Sequence, residues 1–374
     1  MGTGREPRQV WAGCDRAAVG DDPRSTDPRA TLLALAERAP ALEGLDRYGG
    51  GDLAERLERR VADLLGKEAA VWMPSGTMAQ QIALRLHREH SGRDAVGFHA
   101  HCHLDVREER AYAALHGLRA AVVGDRDRLI ATADLELVGE PLSALLLELP
   151  QRDLGGELPT WDDLVQLCAA ARQRGAALHL DGARLWQCPP YYERALDEIA
   201  GLFDTVYVSF YKDLCAPAGA ALAGPRELID EARVWQVRHG GRLFTVYPFM
   251  LAAERGLDER LPEIPRVVAH ARELGAALSS LDDVQVAPDP PQVAMFHALA
   301  RRPHAPLRAA ALELAEETGV WFAGVWSQTA DPAVQRTELS LTPENLAVPL
   351  EETLELWRAM LARADVSSAP AGTV

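Results

Sequence analysis

The stretches that decide the fold are AALHLDGARLW (176–186) and TVYVSFYKDLCAPAG (205–219). Each begins with a short, continuous apolar run, which is followed by a residue that can take part in chemistry. This residue is Asp181 in the first stretch and Lys212 in the second. Continuous apolar strands are typical of parallel sheets that helices cover on both faces. Because such sheets bind ligands at the carboxyl ends of their strands, the two stretches predict Asp181 and Lys212 at one ligand-binding edge.

The same alternation extends along most of the chain. Further apolar runs predict strands at 69–74, 95–99, 119–124, 143–149 and 220–224, and a 3.6-residue period predicts helices at 53–65, 78–90, 161–175 and 227–238. The pattern predicts an α/β fold with a large domain at 31–255, built on a mostly parallel seven-stranded sheet. A smaller α+β domain is predicted at 256–366, with an N-terminal arm at 1–30 and a tail at 367–374.

Composition excludes several classes of protein. The 374 residues carry 39 basic and 55 acidic side chains, a net charge of −16, which argues against a nucleic-acid partner. The five cysteines form no CxxC pair, so neither a disulfide framework nor a zinc ribbon is expected. The opening MGTGREPRQVWAGCDR lacks the apolar segment of a signal peptide, and no run approaches the roughly 18 apolar residues of a membrane span. We expect a cytoplasmic protein with no membrane partner.

Lys212 is conspicuous because the only other lysine among the 39 basic residues is Lys67. A primary amine can form an imine and a guanidinium cannot, so a lysine in this position suggests covalent chemistry. Asp181 ends an apolar strand and needs a partner, since an isolated buried carboxylate is costly. A protonated heterocyclic nitrogen or the Arg184 side chain could be this partner of Asp181. The alternatives are a surface lysine and a structural Asp181–Arg184 pair.

A third feature is the turn Pro74-Ser75-Gly76-Thr77 between a predicted strand and a predicted helix. Free N–H groups, two hydroxyls and the positive end of the helix dipole would together cradle a phosphate. An ordinary helix N-cap is the alternative.

With these residues in hand, the chain resembles the L-threonine aldolase / β-eliminating lyase family of fold-type-I pyridoxal-5'-phosphate (PLP) enzymes over roughly 47–255. The similar segments follow the family's order along the chain. They are Tyr48-Gly49 with Asp52, Ser75 to Gln81, His103 with Glu108 and Leu115-x-Gly117, Glu148 with Gly155-Gly156, His179 to Trp186, Lys212 to Gly219, and Arg238 to Gly241.

The resemblance implies a PLP-dependent carbon–carbon lyase that acts on a small amino acid, most simply an aldolase that splits threonine or allo-threonine into glycine and an aldehyde. Lys212 would carry the cofactor as a Schiff base, Asp181 would keep its ring nitrogen protonated, and His103 would stack on the ring. The remaining cofactor-binding residues would be Ser75, Gly76, Thr77 and Arg184. No metal is expected.

Substrate residues follow from the same resemblance. Arg184 and Arg336 would bind the substrate carboxylate, and Tyr48 and Gln151 would line the substrate site. Gln151 stands where the family has a histidine and cannot take a proton, which leaves His103 as the candidate for deprotonating the β-hydroxyl. The chain departs from the family's pattern at two further places. Tyr211 replaces a serine, and residues 24–27 match the family's RSDT stretch only in part.

Other interpretations stay open at this point. β-Elimination, racemisation and transamination need the same cofactor. His99, His101 and His103 alternate along one short stretch and could bind zinc or iron, as in a metal-dependent hydrolase. A non-catalytic protein with the PLP fold is a third possibility. The resemblance to this family also implies a homodimer or a homotetramer.

Overall fold

The computed structural model describes residues 6–23, 27–39 and 46–368, so residues 24–26 of the RSDT-like stretch and 369–374 of the tail lie outside the described residues. The strands, in chain order, are β1 (Arg16–Ala17), β2 (Ala69–Met73), β3 (Ala95–Phe98), β4 (Arg119–Val122), β5 (Ala144–Glu148), β6 (Ala177–Gly182), β7 (Thr205–Ser209), β8 (Ala220–Gly224), β9 (Val284–Ala287), β10 (Met295–Ala300), β11 (Val320–Trp321), β12 (Ser327–Gln328) and β13 (Gln335–Ser340).

The α-helices are α1 (Pro7–Ala12), α2 (Pro28–Arg38), α3 (Asp52–Leu64), α4 (Gly76–Ser91), α5 (His103–Val106), α6 (Ala111–His116), α7 (Thr132–Glu136), α8 (Trp161–Gln173), α9 (Pro189–Tyr192), α10 (Leu196–Gly201), α11 (Arg226–Arg238), α12 (Tyr247–Glu259), α13 (Ile264–Ser279), α14 (His304–Thr318) and α15 (Leu350–Ser368). Short 3-10 helices lie at Arg152–Leu154, Leu185–Gln187, Leu261–Glu263 and Pro343–Ala347. No described helix is both long enough and apolar enough to cross a membrane.

Two compact units make up the chain. The large unit comprises Leu35–Asp153 and Leu158–Pro262, and the small unit comprises Met1–Ala34, Leu154–Glu157 and Glu263–Val374. Helix α12 runs unbroken across residue 255, near which the sequence pattern changes. Helix α1 and strand β1 belong to the small unit, where β1 pairs in parallel with β11.

The large unit is built on a seven-stranded sheet with the order β2-β8-β7-β6-β5-β3-β4. Neighbours from β4 to β7 are parallel, and β8 runs antiparallel to both β7 and β2. The predicted fold, a mostly parallel sheet of seven strands, is confirmed. The side chains of the central strands β7 and β8 are all buried, whereas those of the edge strand β4 are mostly exposed.

Helix α4 packs against this sheet through one apolar stripe. Ala79, Ile82, Ala83 and Leu86 recur at helical spacing and are fully buried. The helix begins at Gly76, two residues before the start that periodicity predicts, because the Ser75 side chain caps it by accepting a hydrogen bond from the Met78 N–H at 3.2 Å. The Ser75–Thr77 turn is therefore held at the helix end by both packing and capping.

The small unit contains an antiparallel sheet of order β12-β13-β10-β9 together with helices α13, α14 and α15. Its alternating strands carry one buried and one more exposed face, as in β13. The prediction of a smaller α+β part toward the C-terminus is confirmed.

Candidate functional site

Three neighbouring strands of the large sheet carry polar residues in register with one another. Glu148 on β5 is the register partner of Asp181 on β6, and Asp181 is the register partner of Tyr207 on β7. Asp181 and Tyr207 are only 2% and 1% exposed. The carboxyl ends of the strands therefore bring two carboxylic acids and a phenol together, at the edge where parallel sheets bind ligands.

Lys212 lies in the loop that follows β7. Burial lowers the pKa of its amine, and Asp181 is the largest opposing influence on that pKa. The other lysine is committed elsewhere, since the Lys67 Nζ donates to the carbonyl oxygen of Phe203 at 2.6 Å. Of the two lysines, Lys212 is therefore the one whose pKa responds to Asp181, the carboxyl that the sequence predicts at the same edge of the sheet.

Asp181 is a buried acid with several donors around it. Burial raises the pKa of its carboxyl, while Lys212, the Ala183 N–H, His103 and the Gln80 side chain act in the opposite direction. The Ala183 N–H donates to Oδ1 at 3.1 Å. Lys212, and not Arg184, is the strongest charged influence on Asp181, so the two residues singled out by the sequence act on each other.

Glu148 adds a second acid beside Asp181. Burial and the nearby Asp181 raise the pKa of Glu148 to about 8. Its oxygens accept hydrogen bonds from the Gln151 Nε2 at 2.9 Å and from the Arg152 N–H at 3.2 Å. Gln151, which is 3% exposed, is therefore a partner of Glu148.

The Ser75–Thr77 turn lies at the N-terminus of α4. Besides the Ser75 cap, the Ala79 N–H donates to the Ser75 carbonyl at 3.2 Å, and the amides of Gly76 and Thr77 precede it at the open end of the helix. A Cβ at Gly76 would lie 2.1 Å from the Tyr207 hydroxyl oxygen. Only glycine fits here, because the helix end approaches the phenol of β7 so closely.

His103 is held by an acid. Its Nδ1 lies 2.9 Å from Glu108 Oε1, and Gln81 Nε2 donates to Glu108 Oε2 at 3.4 Å. The His103 side chain is 36% exposed, whereas that of Glu108 is 3% exposed. A carboxylate only accepts, so the neutral ring carries its proton on Nδ1 and leaves Nε2 free to accept one.

Arg184 precedes the short helix Leu185–Gln187 and acts on the charged groups near Lys212. It opposes the burial that raises the pKa of Asp213, the residue directly after Lys212. Gln187 Nε2 donates to Asp213 Oδ1 at 2.6 Å, and Asp213 Oδ2 is buried without a hydrogen-bond partner. Arg184 and Asp213 therefore belong to the electrostatic surroundings of the lysine.

The other predicted substrate residues occupy different settings. Tyr48 is 53% exposed and packs edge-on against Phe244, with ring centroids 5.4 Å apart. Arg336 lies on β13 of the small unit, where it pairs with Leu299, and its role toward the substrate stays a prediction.

The alternating histidines have other partners. His99 Nε2 lies 2.9 Å and 3.0 Å from the carbonyl oxygens of Asp125 and Arg128, and His99 Nδ1 accepts from the His101 N–H at 3.1 Å. Across the described ranges, no group of three histidine, cysteine or acidic side chains is arranged to hold a metal ion. The geometry of His99 is that of a structural histidine.

The donor set fits PLP. A buried carboxylate suits a protonated ring nitrogen, an amine of lowered pKa suits imine formation, and a capped helix N-terminus where only glycine fits suits a phosphate. The residues that would supply these features are Asp181, Lys212, and Ser75 to Thr77.

Sequence reasoning did not single out Asp213, Tyr207 or the side-chain contacts of Gln80 and Gln81. The sequence does carry one indication of Tyr207, because its polar hydroxyl lies within an otherwise apolar strand. In the fold, Tyr207 lies next to the glycine at the start of a helix. The two glutamines end the Ser75 to Gln81 segment that resembles the family, but their burial was not expected, since polar residues in a helix are ordinarily solvent-facing.

Comparisons with known proteins agree with this geometry. The family model described as beta-eliminating lyase matches residues 25–300. Low-specificity L-threonine aldolase 1 of Arabidopsis thaliana is 27% identical over 275 residues, which cover 70% of this chain and 75% of that protein.

Two solved structures are similar over nearly the whole chain. A candidate L-allo-threonine aldolase from Listeria monocytogenes superposes with a TM-score of 0.89 at 32% identity, covering 96% of this chain and 98% of the other. A candidate aromatic amino acid beta-eliminating lyase/threonine aldolase from Exiguobacterium sp. gives 0.89 at 33% identity, covering 95% and 99%. The chain therefore belongs to the beta-eliminating lyase family of fold-type-I, PLP-dependent enzymes, as its motifs predict.

Proposed function

We propose that the protein is an aldolase that cleaves β-hydroxy-α-amino acids, such as threonine and allo-threonine, into glycine and an aldehyde, and that catalyses the reverse condensation. The names of its relatives support this reaction class. The observation that carries the proposal is the mutual influence of the Lys212 amine and the Asp181 carboxylate at one edge of the sheet.

Seven residues would hold the cofactor: Ser75, Gly76, Thr77, His103, Asp181, Arg184 and Lys212. When bound, PLP supplies an electron sink for the pair of electrons released as a bond at the α-carbon breaks. Lys212 offers the amine that attaches the cofactor, and its lowered pKa increases the uncharged, nucleophilic fraction. Asp181, as a carboxylate, favours a protonated ring nitrogen.

Cleavage of the Cα–Cβ bond requires that a proton leave the β-hydroxyl. His103 is the group in this site with a free nitrogen for that proton, because Glu108 holds the Nδ1 side of the ring. Gln151 cannot act as a base, and its amide is already directed to Glu148. The proposal therefore assigns the base to His103, directly or through a water.

Substrate orientation decides which α-carbon bond breaks. A guanidinium can grip a carboxylate through two parallel hydrogen bonds, and we assign this part to Arg184 and Arg336. Tyr48 and Gln151 would contact the rest of the substrate. If the Cα–H bond were aligned instead, the same site would catalyse β-elimination, racemisation or transamination.

The test is a product assay with PLP-loaded protein and threonine, allo-threonine and phenylserine. We expect glycine and the matching aldehyde in equal amounts, and loss of both products in Lys212→Ala. Formation of an oxo acid with the substrate's own carbon skeleton, such as 2-oxobutyrate from threonine, or inversion at the α-carbon without glycine, would assign one of the other PLP reactions. Bound PLP with no turnover of any of the three substrates would indicate a non-catalytic protein.

We also propose that the protein works in the cytoplasm as a homodimer or homotetramer. All five cysteines are free and four of them are buried, which suits a reducing compartment. Light scattering coupled to gel filtration would measure the assembly, and a single-chain mass would contradict it.

A further inference from the structure

Two segments that follow neighbouring strands of the large sheet are hydrogen-bonded to each other. Residues 183–187, the first segment, come directly after β6, and residues 209–213, the second segment, begin at the last residue of β7. Ser209 Oγ donates to the Ala183 carbonyl oxygen at 3.0 Å, and Trp186 Nε1 donates to the Ser209 carbonyl oxygen at 3.0 Å. All three residues are buried. The pairing of β6 with β7 therefore continues beyond the sheet.

A third hydrogen bond joins the far ends of the two segments. Gln187 Nε2 donates to Asp213 Oδ1 at 2.6 Å, and Gln187 is buried. Arg184 lies three residues before Gln187, and Lys212 directly precedes Asp213. We propose that Gln187 and Asp213 are positioning residues, and that their hydrogen bond holds the two segments at a fixed separation. Its consequence for catalysis rests on the proposed function, whereas the contact itself is a property of the fold.

Short turns transmit this contact to the two functional side chains. The Gln187 N–H donates to the Arg184 carbonyl oxygen at 3.0 Å, within the 3-10 turn of the first segment. Asp213 is bonded covalently to Lys212, and the Cys215 N–H closes a turn on the Lys212 carbonyl oxygen at 3.1 Å. A shift of either partner of the side-chain hydrogen bond would therefore move the backbone from which Arg184 or Lys212 extends.

The Asp213 carboxyl depends on Gln187 for its orientation. Oδ1 accepts from the amide, whereas Oδ2 is buried and has no hydrogen-bond partner among the residues that the structure describes. A carboxyl and a carboxamide offer the same acceptor at Oδ1, so asparagine at this position can accept the hydrogen bond and alanine cannot. Substitution can therefore separate the effect of the hydrogen bond from the effect of the charge.

The separation matters because Arg184 and Lys212 act on different parts of one reaction. In the proposed function, Arg184 binds the substrate carboxylate and Lys212 carries the cofactor. Their relative position decides whether the Cα–Cβ bond or the Cα–H bond is aligned for cleavage. A loosened connection between the segments should therefore change the ratio of the products, whereas a general loss of folded protein would lower every product alike.

Four variants test this role. Gln187→Met removes the donor, and Asp213→Ala removes the acceptor from the other side. Asp213→Asn removes the charge and keeps the acceptor. Gln236→Met is the matched control, because Gln236 is also a buried glutamine of the large unit and its Nε2 donates to the Trp72 carbonyl oxygen at 2.6 Å.

The first measurement is amide hydrogen exchange of the cofactor-free chain, followed by mass spectrometry of its peptides. We expect exchange in 183–188 and 210–216 to be about five- to tenfold faster in Gln187→Met and in Asp213→Ala, because one buried hydrogen bond no longer opposes local opening. Asp213→Asn and Gln236→Met should exchange in these peptides at the wild-type rate. Wild-type exchange in Gln187→Met and Asp213→Ala would overturn the inference.

The second measurement is the ratio of 2-oxobutyrate to glycine that PLP-loaded protein forms from threonine. 2-Oxobutyrate requires cleavage of the Cα–H bond and loss of the β-hydroxyl, whereas glycine requires cleavage of the Cα–Cβ bond. We expect Gln187→Met and Asp213→Ala to raise this ratio about tenfold. Asp213→Asn and Gln236→Met should keep it within about twofold of the wild type. An unchanged ratio in the first two variants would also overturn the inference.

The two measurements separate the inference from the proposed function. Hydrogen exchange is measured without cofactor or substrate. A wild-type chain that shows the expected exchange pattern but forms no glycine would contradict the aldolase assignment and leave the positioning role of the hydrogen bond standing.

Discussion

Glu148 and Asp181 stand directly opposite each other on the neighbouring parallel strands β5 and β6. Burial raises the pKa of both carboxyls, and burial together with the neighbouring Asp181 raises the pKa of Glu148 to about 8. Lys212 acts in the opposite direction on the pKa of both carboxyls.

The raised pKa of Glu148 makes stability depend on pH. Between about pH 4.5 and 8 the folded protein holds a proton on Glu148 that the unfolded chain releases, so the contribution of Glu148 to the free energy of unfolding should fall as pH rises through this window. The slope of this contribution has a ceiling of about 1.4 kcal/mol per pH unit. Glu148→Gln should remove the contribution in the cofactor-free protein, which is measured by denaturant unfolding as the difference in slope from the wild type.

Glu140→Gln is the matched control for that measurement. Glu140 is paired with Arg119 at the surface, and the Arg119 hydrogen bond lowers its pKa. Its replacement should leave the slope above pH 5 unchanged. An equal slope in Glu148→Gln and the wild type would show that Glu148 titrates normally.

The two lysines should differ sharply in their chemistry. Borohydride reduction of PLP-loaded protein should fix the cofactor on the peptide that contains Lys212, and Lys212→Ala should carry none. Lys67→Ala should keep the label and lose about 1 kcal/mol of stability, because its hydrogen bond to the Phe203 carbonyl is gone. Peptide mapping by mass spectrometry checks this, and label on the Lys67 peptide would contradict the assignment.

Replacing Ser75 would distinguish a phosphate site from an ordinary helix cap. Ser75 and Thr160 cap α4 and α8 alike, each accepting a backbone N–H at 3.2 Å. Ser75→Ala and Thr160→Ala should each cost about 1 kcal/mol of stability. Only Ser75→Ala should weaken PLP binding, measured by titrating the cofactor-free protein. Equal PLP affinity in the two variants would leave Ser75 as a cap alone.

His103→Phe tests the base. The phenyl ring can still stack on the cofactor, so PLP should remain bound, while kcat for allo-threonine should fall about 10²- to 10⁴-fold. His90→Gln, at an exposed histidine that pairs with Glu231, serves as control and should leave kcat unchanged. Full activity in His103→Phe would require a different group to take the β-hydroxyl proton.

Much of this site could be predicted from the sequence, because its main residues end apolar runs. Asp181 lies near the carboxyl end of β6 and Lys212 follows β7, and the parallel arrangement of these strands places both at one edge. The closeness of Glu148 and Asp181 could not be predicted, since it depends on strand order and register, and β5 lies between β6 and β3 only in the folded sheet. The burial of Gln80 and Gln81 could not be predicted for a different reason: it depends on the rotation of α4, which the sheet sets.

The scarcity of lysine has a practical consequence. Guanidinium groups supply 37 of the 39 basic side chains, so reagents that acylate or alkylate lysine find few targets on this molecule. Attachment to a support or a dye through lysine side chains would have only Lys67 and Lys212 to react with, and reaction at Lys212 would consume the amine proposed to hold the cofactor. Cys215, which is exposed, offers an anchor by thiol chemistry, although it lies only three residues beyond Lys212 and would place any tag close to the substrate.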